Sequence, residues 1–304
     1  MKRLFRNLLG IVPTLVLSWT IVFGAMHLIP GDPVAMMLAG TPATDKVIEA
    51  ERARLGLDRS IAEQYVEFVR RVVIGDFGDS FRTRQPVARM VGEQLPYTLQ
   101  LAAGGFVVGL VLGISLGLIA GVFPHGWVDS IAMTVALAGV SLPGFWVAML
   151  LIQVFATNLG WLPVLGSGFQ ALILPSIAVG LFLAAGLARL IRSSIIEVMS
   201  QDYIRTARAK GLPPFIVVAK HALRNALIPP VTLLGVQVAL LIGGAVVTET
   251  VFARPGIGTI LVQAVLDKDY PVVQAIVVWT TAAFITINVL IDLLYGLIDP
   301  RVSD

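Results

Sequence analysis

Apolar residues run along this chain in stretches long enough to cross a bilayer, and charged residues gather between them. A transmembrane helix needs roughly 20 apolar residues. Uncharged runs of that length lie between Arg6 and Asp32, Glu93 and Asp129, Arg224 and Glu249, and Asp269 and Asp292. A longer stretch, 131–188, holds 58 residues without a charge, enough for two crossings. It is interrupted by Asn158, Gly160, Pro163, Gly166 and Gly168, which are turn and breaker residues. The pattern predicts an all-α integral membrane protein with six transmembrane helices, over 8–29, 97–122, 131–157, 171–190, 227–248 and 271–295. The N-terminal run follows Lys2, Arg3 and Arg6 as a secretory signal would. Its apolar core exceeds 20 residues and no A-x-A-like site precedes Pro30, so it reads as an anchor.

Orientation follows the basic residues of the short loops. With the N-terminus in the cytoplasm, the inner segments hold Lys2, Arg3, Arg6, Arg189, Arg192, Arg205, Arg208, Lys210, Lys220, Arg224 and Arg301. The short outer loop 249–270 holds only Arg254 and Lys268. The other nine basic residues lie in the long segment 30–96 beside ten acids. Both termini are therefore expected in the cytoplasm, with 30–96 extracytoplasmic.

The 30–96 segment reads as folded. Ser60-Ile61-Ala62-Glu63 is a capping box, in which Ser60 and Glu63 can satisfy the first free N–H groups of a helix. Ile61, Tyr65, Phe68, Val69, Val72 and Val73 then fall on one helical face, and Gly75 can end it. Such a helix can cap the mouth of the bundle and also present a surface to a soluble partner. Gly75-Asp76-Phe77-Gly78 contains a kinase-like string, but no His-Arg-Asp loop or phosphate loop accompanies it, so it reads as a turn. The loop 191–226 carries Ile191, Ile195, Met199 and Tyr203 every four residues, which extends the fourth helix beyond the membrane. Gly211 can supply a left-handed terminus, and Pro213-Pro214 can open a second helix bearing Lys220, His221 and Arg224.

Composition narrows the function classes. Hydrophobic residues make up 57% of the chain and charged residues 13%, with mean hydropathy +0.86. A soluble protein carries roughly 25% charged residues, so a soluble enzyme and a disordered chain are both excluded. The 22 basic against 19 acidic residues give +3, too balanced for nucleic-acid binding. There is no cysteine, hence no disulfide, thiolate metal site or cysteine nucleophile. His27, His125 and His221 are spread along the chain and form no zinc motif. No Walker-A pattern occurs, so ATP must be bound, if at all, by another chain.

Two features lie within the apolar runs. Gly105, Gly109, Gly113, Gly117 and Gly121 form a ridge at spacing four, and Gly235, Ala239 and Gly243 a shorter one. Small residues in such a row let helices approach closely, for static packing or as a sliding surface. Gln153, Gln237, Asn288 and Asp292 are the polar residues that can line a pathway or bond a neighbouring helix. With almost no buried charge expected, the interior reads as a weakly interacting channel.

The strings along the chain carry a resemblance. Tyr203-Ile204-Arg205-Thr206-Ala207-Arg208-Ala209-Lys210-Gly211 and His221-Ala222-Leu223-Arg224-Asn225-Ala226-Leu227-Ile228-Pro229 closely resemble the cytoplasmic loop of ABC-transporter permeases of the dipeptide/oligopeptide class. Further strings follow in order: Leu28-Ile29-Pro30-Gly31-Asp32-Pro33, Leu55-Gly56-Leu57-Asp58, Gly75-Asp76-Phe77-Gly78, Ser141-Leu142-Pro143 and Gly160-Trp161-Leu162-Pro163. Thr250-Val251-Phe252, Pro255-Gly256-Ile257-Gly258, Asp269-Tyr270-Pro271-Val272 and Asp299-Pro300-Arg301 complete them, so the resemblance covers essentially the whole chain.

The resemblance implies a type I importer permease fold over 1–304, with a helical extracytoplasmic insertion between helices 1 and 2. It implies a second, usually non-identical permease subunit, two cytoplasmic ATPases that bind ATP and Mg, and an extracytoplasmic binding protein. The chain itself would bind no cofactor and catalyse nothing. Within this class 203–211 forms the coupling helix that sits in a cleft of the ATPase, which assigns Tyr203, Arg205, Thr206, Ala207, Arg208, Ala209, Lys210 and Gly211 to coupling. The broader permease motif begins Glu-Ala-Ala, whereas Arg205, Thr206 and Ala207 stand here, so an acid-mediated contact is not carried over. The cargo implied is a di- or oligopeptide or a glutathione-like peptide, with nickel complexes and opines as cargoes of the same family. An ion-coupled secondary transporter is the alternative from another class, and its internal repeats and intramembrane ions are not evident.

Overall fold

The structure is a computed structural model that describes residues 2–38, 44–166 and 168–298. Its described residues are helical, and their one β-type pairing is an isolated bridge between Asp79 and Pro86. Among the described residues fourteen α-helices occur in chain order, with π-helical turns at Ile152–Asn158 and Val217–Ala222: α1 Lys2–Leu28, α2 Pro33–Met37, α3 Asp45–Arg54, α4 Ile61–Ile74, α5 Val87–Val122, α6 Trp127–Ser141 and α7 Gly144–Leu151. Then follow α8 Phe169–Met199, α9 Asp202–Ala209, α10 Pro214–Ile216, α11 Leu223–Ala226, α12 Ile228–Val251, α13 Ile257–Leu266 and α14 Tyr270–Ile298. Among the described residues four helices are long and apolar enough to cross a membrane: α1, α5, α8 and α14. The pair α6/α7 makes a fifth if taken as one bent span. Helix α12 adds 24 residues with a single charge, Glu249.

The segment expected as the third span is divided into two helices. A single helix is expected over 131–157, but α6 and α7 meet at 110° across Leu142 and Pro143. Pro143 disfavours helical backbone at the residue before it, and Leu142 is accordingly extended (φ −94°, ψ 136°). Helix α7 then widens into a π-helical turn, Ile152–Asn158. Uniform hydrophobicity conceals such a break, because both arms remain apolar.

The chain forms two compact units. The first comprises residues 1–96 and 256–286. Its core gathers Val22, Phe23 and Met26 of α1, Phe68 and Val72 of α4, Val87 and Val91 of α5, and Ile257, Val273 and Ile276 from α13 and α14. Helix α4 begins at the expected capping box: Ser60 N–H donates to Glu63 Oε2 at 3.0 Å, and Glu63 N–H donates to Ser60 Oγ at 3.3 Å. It ends at Gly75 with φ +80°. Its buried stripe is narrower than the sequence pattern: Phe68 and Val72 are inside, whereas Ile61 and Val73 are 63% and 73% exposed. Each residue turns about 100° around the axis, which carries Val73 away from the face of Val72. Burying one such apolar side chain is worth about 1.5–3 kcal/mol. Asp76 Oδ1 accepts from Gly78 N–H at 2.9 Å, so Gly75–Gly78 is a turn.

The second unit comprises 97–255 with the end of α14. Here α8 is the central element, burying Leu174, Leu183, Leu187, Ile191 and Ile195 among other residues. Helices α6, α7 and α12 pack on it.

Candidate functional site

Helix α8 runs unbroken for 31 residues, and only Ser200 and Gln201 separate it from α9. At 1.5 Å per residue α8 is a rod of roughly 46 Å. Helix α9 is seated by Ile204 and Ala207, which are buried in one cluster with Leu187, Ile191 and Ile195 of α8 and with Val217, Ala222 and Ala226. Asn225 Nδ2 donates to Tyr203 Oη at 2.8 Å and ties α9 to α11. Thr206 Oγ1 donates to Asp202 O at 3.0 Å, within its own turn.

Seating two residues inward turns the others out. Tyr203, Arg205, Thr206, Arg208, Ala209, Lys210 and Gly211 are exposed, and Ala207 is buried. Arg205 lies 3.5 Å from Asp202, a pair exposed on both sides. Among the described residues Arg208 and Lys210 have no ion-pair partner. Gly211 has φ +75°, and its N–H donates to Arg208 O at 2.9 Å, closing the helix. A Cβ at Gly211 would meet nothing within 4 Å, so the position needs glycine for its backbone alone. Pro214 then opens α10 at its first turn.

A residue absent from the sequence reading lies four positions beyond Gly211. Phe215 is 80% exposed, next to Ile216 at 39%. Its sequence signal was available: Phe215 follows the double proline that starts a new helix.

One charged pair braces the same unit. Arg192 Nε donates to Asp129 Oδ1 at 2.6 Å and Nη2 to Oδ2 at 2.7 Å, a bidentate link between α8 and α6. His125, with φ +64°, donates its backbone N–H to Asp129 Oδ2 at 2.9 Å, so the turn between α5 and α6 is held too. Asp129 is 5% exposed.

The glycine ridge of α5 faces α8. A Cβ at Gly105 would meet Val179 at 3.1 Å, at Gly109 Leu183 at 2.5 Å, and at Gly113 Leu187 at 2.9 Å. At Gly117 it would meet Ala188 O at 2.6 Å, and at Gly121 Ile195 at 2.7 Å. Of the shorter ridge, Gly243 is exposed with open space around it, and the side-chain surroundings of Gly235 and Ala239 lie outside the described residues. The polar candidates are dispersed. Gln153 donates to Asn158 Oδ1 at 2.9 Å within the π-turn. Gln237 lies against Gly186 of α8 and its buried Oε1 has no partner among the described residues. Asn288 is partly buried in α14, and the side chain of Asp292 lies outside the described residues.

The expectation of almost no buried charge is corrected. Asp129, Glu249, Arg254, Lys268 and Asp269 are each 5% exposed or less. Each finds local partners, which is how burial of charge is sustained. Thr98 Oγ1 donates to Glu249, and Arg254 reaches Gln100 Oε1 at 3.3 Å and Gly166 O at 3.5 Å. Burial pushes the Arg254 guanidinium below its ordinary value, opposed by the charge of Glu249. In the first unit Asp269 accepts from Ser80 Oγ, Phe81 N–H at 3.0 Å and Arg82 N–H at 3.4 Å. Lys268 Nζ donates to the carbonyls of Ile29 and Pro30 at the end of α1. Among the described residues no group of three or more His, Asp or Glu could hold a metal.

Two family descriptions match. Residues 113–304 match the binding-protein-dependent transport system inner membrane component, and residues 1–102 match the N-terminal part of such membrane components. The glutathione transport system permease protein GsiC of Escherichia coli K12 is 44% identical over 303 residues, covering 99% of both chains. GsiC of Shigella flexneri serotype 5b matches to the same identity and extent. An amino acid ABC transporter of known structure aligns with TM-score 0.49 at 17% identity, covering 70% of this chain and 94% of that one. The chain thus belongs to the inner-membrane components of binding-protein-dependent ABC transport systems.

Proposed function

We propose that this chain is the permease subunit of an ATP-driven importer for glutathione or short peptides. It spans the membrane six times, with α12 among the spans, both termini in the cytoplasm and 30–96 on the opposite face. A second, homologous but non-identical permease completes the pathway, an extracytoplasmic binding protein delivers the cargo, and two cytoplasmic ATPases drive it. The chain is a non-catalytic component. ATP and Mg belong to the ATPases.

The observation that carries the coupling part is the exposed strip Tyr203–Gly211 continued by Phe215, seated on the end of the long helix α8. A short helix held at the end of a rod converts a push on its exposed face into a rigid-body displacement of the rod, a recurrent switching motion. Peptide cargo rests on the 44% identity to glutathione permeases over nearly the whole chain. The dispersed polar candidates Gln153, Gln237 and Asn288 fit a pathway that holds cargo weakly, with selectivity in the binding protein.

Gly211→Val tests the coupling reading. A β-branched residue in left-handed backbone costs about 1–2 kcal/mol and shifts the α9–α10 corner. In proteoliposomes containing the whole complex, uptake of glutathione should fall while membrane insertion and assembly persist. Unchanged uptake per ATP hydrolysed would refute the reading.

A further inference from the structure

We propose that Asp129 and Arg192 are positioning residues that make α6 travel with α8, so that displacement at α9 reaches the Leu142–Pro143 bend. The inference rests on the coupling reading above and adds the part through which motion leaves α8.

The geometry is specific. Arg192 lies seven residues before the end of α8, and α9 follows after two more. Its two bonds to Asp129 fix both distance and orientation, as a forked guanidinium–carboxylate pair does. Asp129 lies in the first turn of α6, where a negative charge is favoured by the helix dipole. It also holds the His125 N–H, so the α5–α6 turn is part of the same joint. Helix α5 is fitted to α8 near this level: a Cβ at Gly121 would approach Ile195 at 2.7 Å and Arg192 O at 3.2 Å. The ends of α5, α6 and α8 therefore form one braced corner. Near the other end of α6, Gly139 sits close on α8, where a Cβ would lie 2.8 Å from Leu181 O. Just beyond it Leu142 is extended and the direction of the chain changes by 110°. A helix pinned to α8 at its first turn and packed on it near its last carries the bend at its end with it.

With Asp129 buried and the Arg192 side chain 27% exposed, such a pair adds little net stability over a well-packed apolar contact, and fixing one arrangement against others is its better-attested use. An apolar contact between α6 and α8 would permit the helices to slide. A two-bond charged link does not.

The chain contains no cysteine, so a Cys pair in its place gives this subunit two thiols at the joint and none elsewhere. The test uses the assembled complex with binding protein in proteoliposomes, reading uptake and ATP hydrolysis together. Asp129→Cys/Arg192→Cys should lower uptake per ATP by about tenfold, within the usual range of coupling energies. A bifunctional methanethiosulfonate should restore the ratio and a monofunctional one should not. Two results overturn the proposal: a cross-link that abolishes uptake, which would mean that α6 and α8 separate in each cycle, or a Cys pair as well coupled as the starting protein. If the pair does not assemble, Asp129→Asn and Arg192→Lys serve, and the double variant should be no worse than the poorer single one. Multiplying defects would contradict a shared role. Gly211→Val in parallel separates the failures: if it too stays coupled, the coupling surface is at fault, whereas its loss with an indifferent Asp129–Arg192 pair rejects only the brace.

Discussion

The 44–96 segment and the 201–226 loop are both largely helical, yet they differ in how far their charged groups are paired. In the former, Ser60 and Glu63 bond each other, Glu67 receives both Arg70 and Arg71, Arg54 holds Glu51, and Ser80, Phe81 and Arg82 converge on Asp269. In the latter, Arg208 and Lys210 have no ion-pair partner among the described residues, Phe215 stands in the open, and the inward residues are apolar. Among the described residues, seven of the nine basic residues of 44–96 have an ion-pair partner, against one of the five of 201–226. Exposed apolar side chains do not separate the two, since Ile61, Val66 and Val73 stand open in the first as Phe215 does in the second. The first segment is neutral, with nine basic and nine acidic residues, whereas the second sets five basic residues against Asp202 alone, which fits a structural cap in one case and supports the proposed docking surface in the other.

The contrast can be broken most severely at Asp269. Asp269→Ala leaves a hydroxyl and two backbone N–H groups without their buried acceptor, at about 1–3 kcal/mol each. The detergent-solubilised chain should melt markedly earlier or fail to accumulate, and Asp269→Asn should recover part of the loss. On the loop side, Phe215→Ser should leave the melting temperature nearly unchanged because the ring is 80% exposed. It should weaken retention of the ATPase by about 2 kcal/mol, the scale of an aromatic anchor, measured by titrating ATPase onto immobilised complex. A smaller effect comes from Ser60→Ala, which removes one half of the capping box and should destabilise the first unit by about 1 kcal/mol in a thermal shift assay.

The smallest effect concerns pH. Hydrogen bonds from Arg70, then Arg71, hold the Glu67 carboxyl at about 2, below the ordinary carboxylate range. A lowered folded-state value contributes stability above the unfolded pKa that is lost as pH falls through the folded one. Amide exchange in α4, corrected for its intrinsic pH dependence, should therefore report the same protection from pH 8 to pH 5. A drop within that window would contradict the pairing.

Much of this contrast was legible beforehand. Ser60, Glu63 and Gly75 announce the start and end of α4 because capping chemistry is local. Gly211 and Pro214 do the same for the α9–α10 corner. The Asp129–Arg192 link was not legible, since 63 positions separate partners that each mark the edge of an apolar run. Charges at such edges read as wet, yet Asp129, Glu249 and Asp269 are buried against partners brought in from distant segments. The bend at Pro143 was hidden for another reason. Composition reports that a segment prefers lipid, not whether it crosses in one line.

The most direct test of the account is co-purification. The tagged chain, expressed with its neighbours and solubilised in mild detergent, should bring down a second permease and an ATPase bearing a Walker motif. Substitutions of Arg205, Arg208 and Phe215 should release the ATPase while the second permease and the melting temperature are retained. An ATPase that stays bound to the substituted chain would contradict the assignment of the 203–215 surface, and the open cations and aromatic would then require another partner.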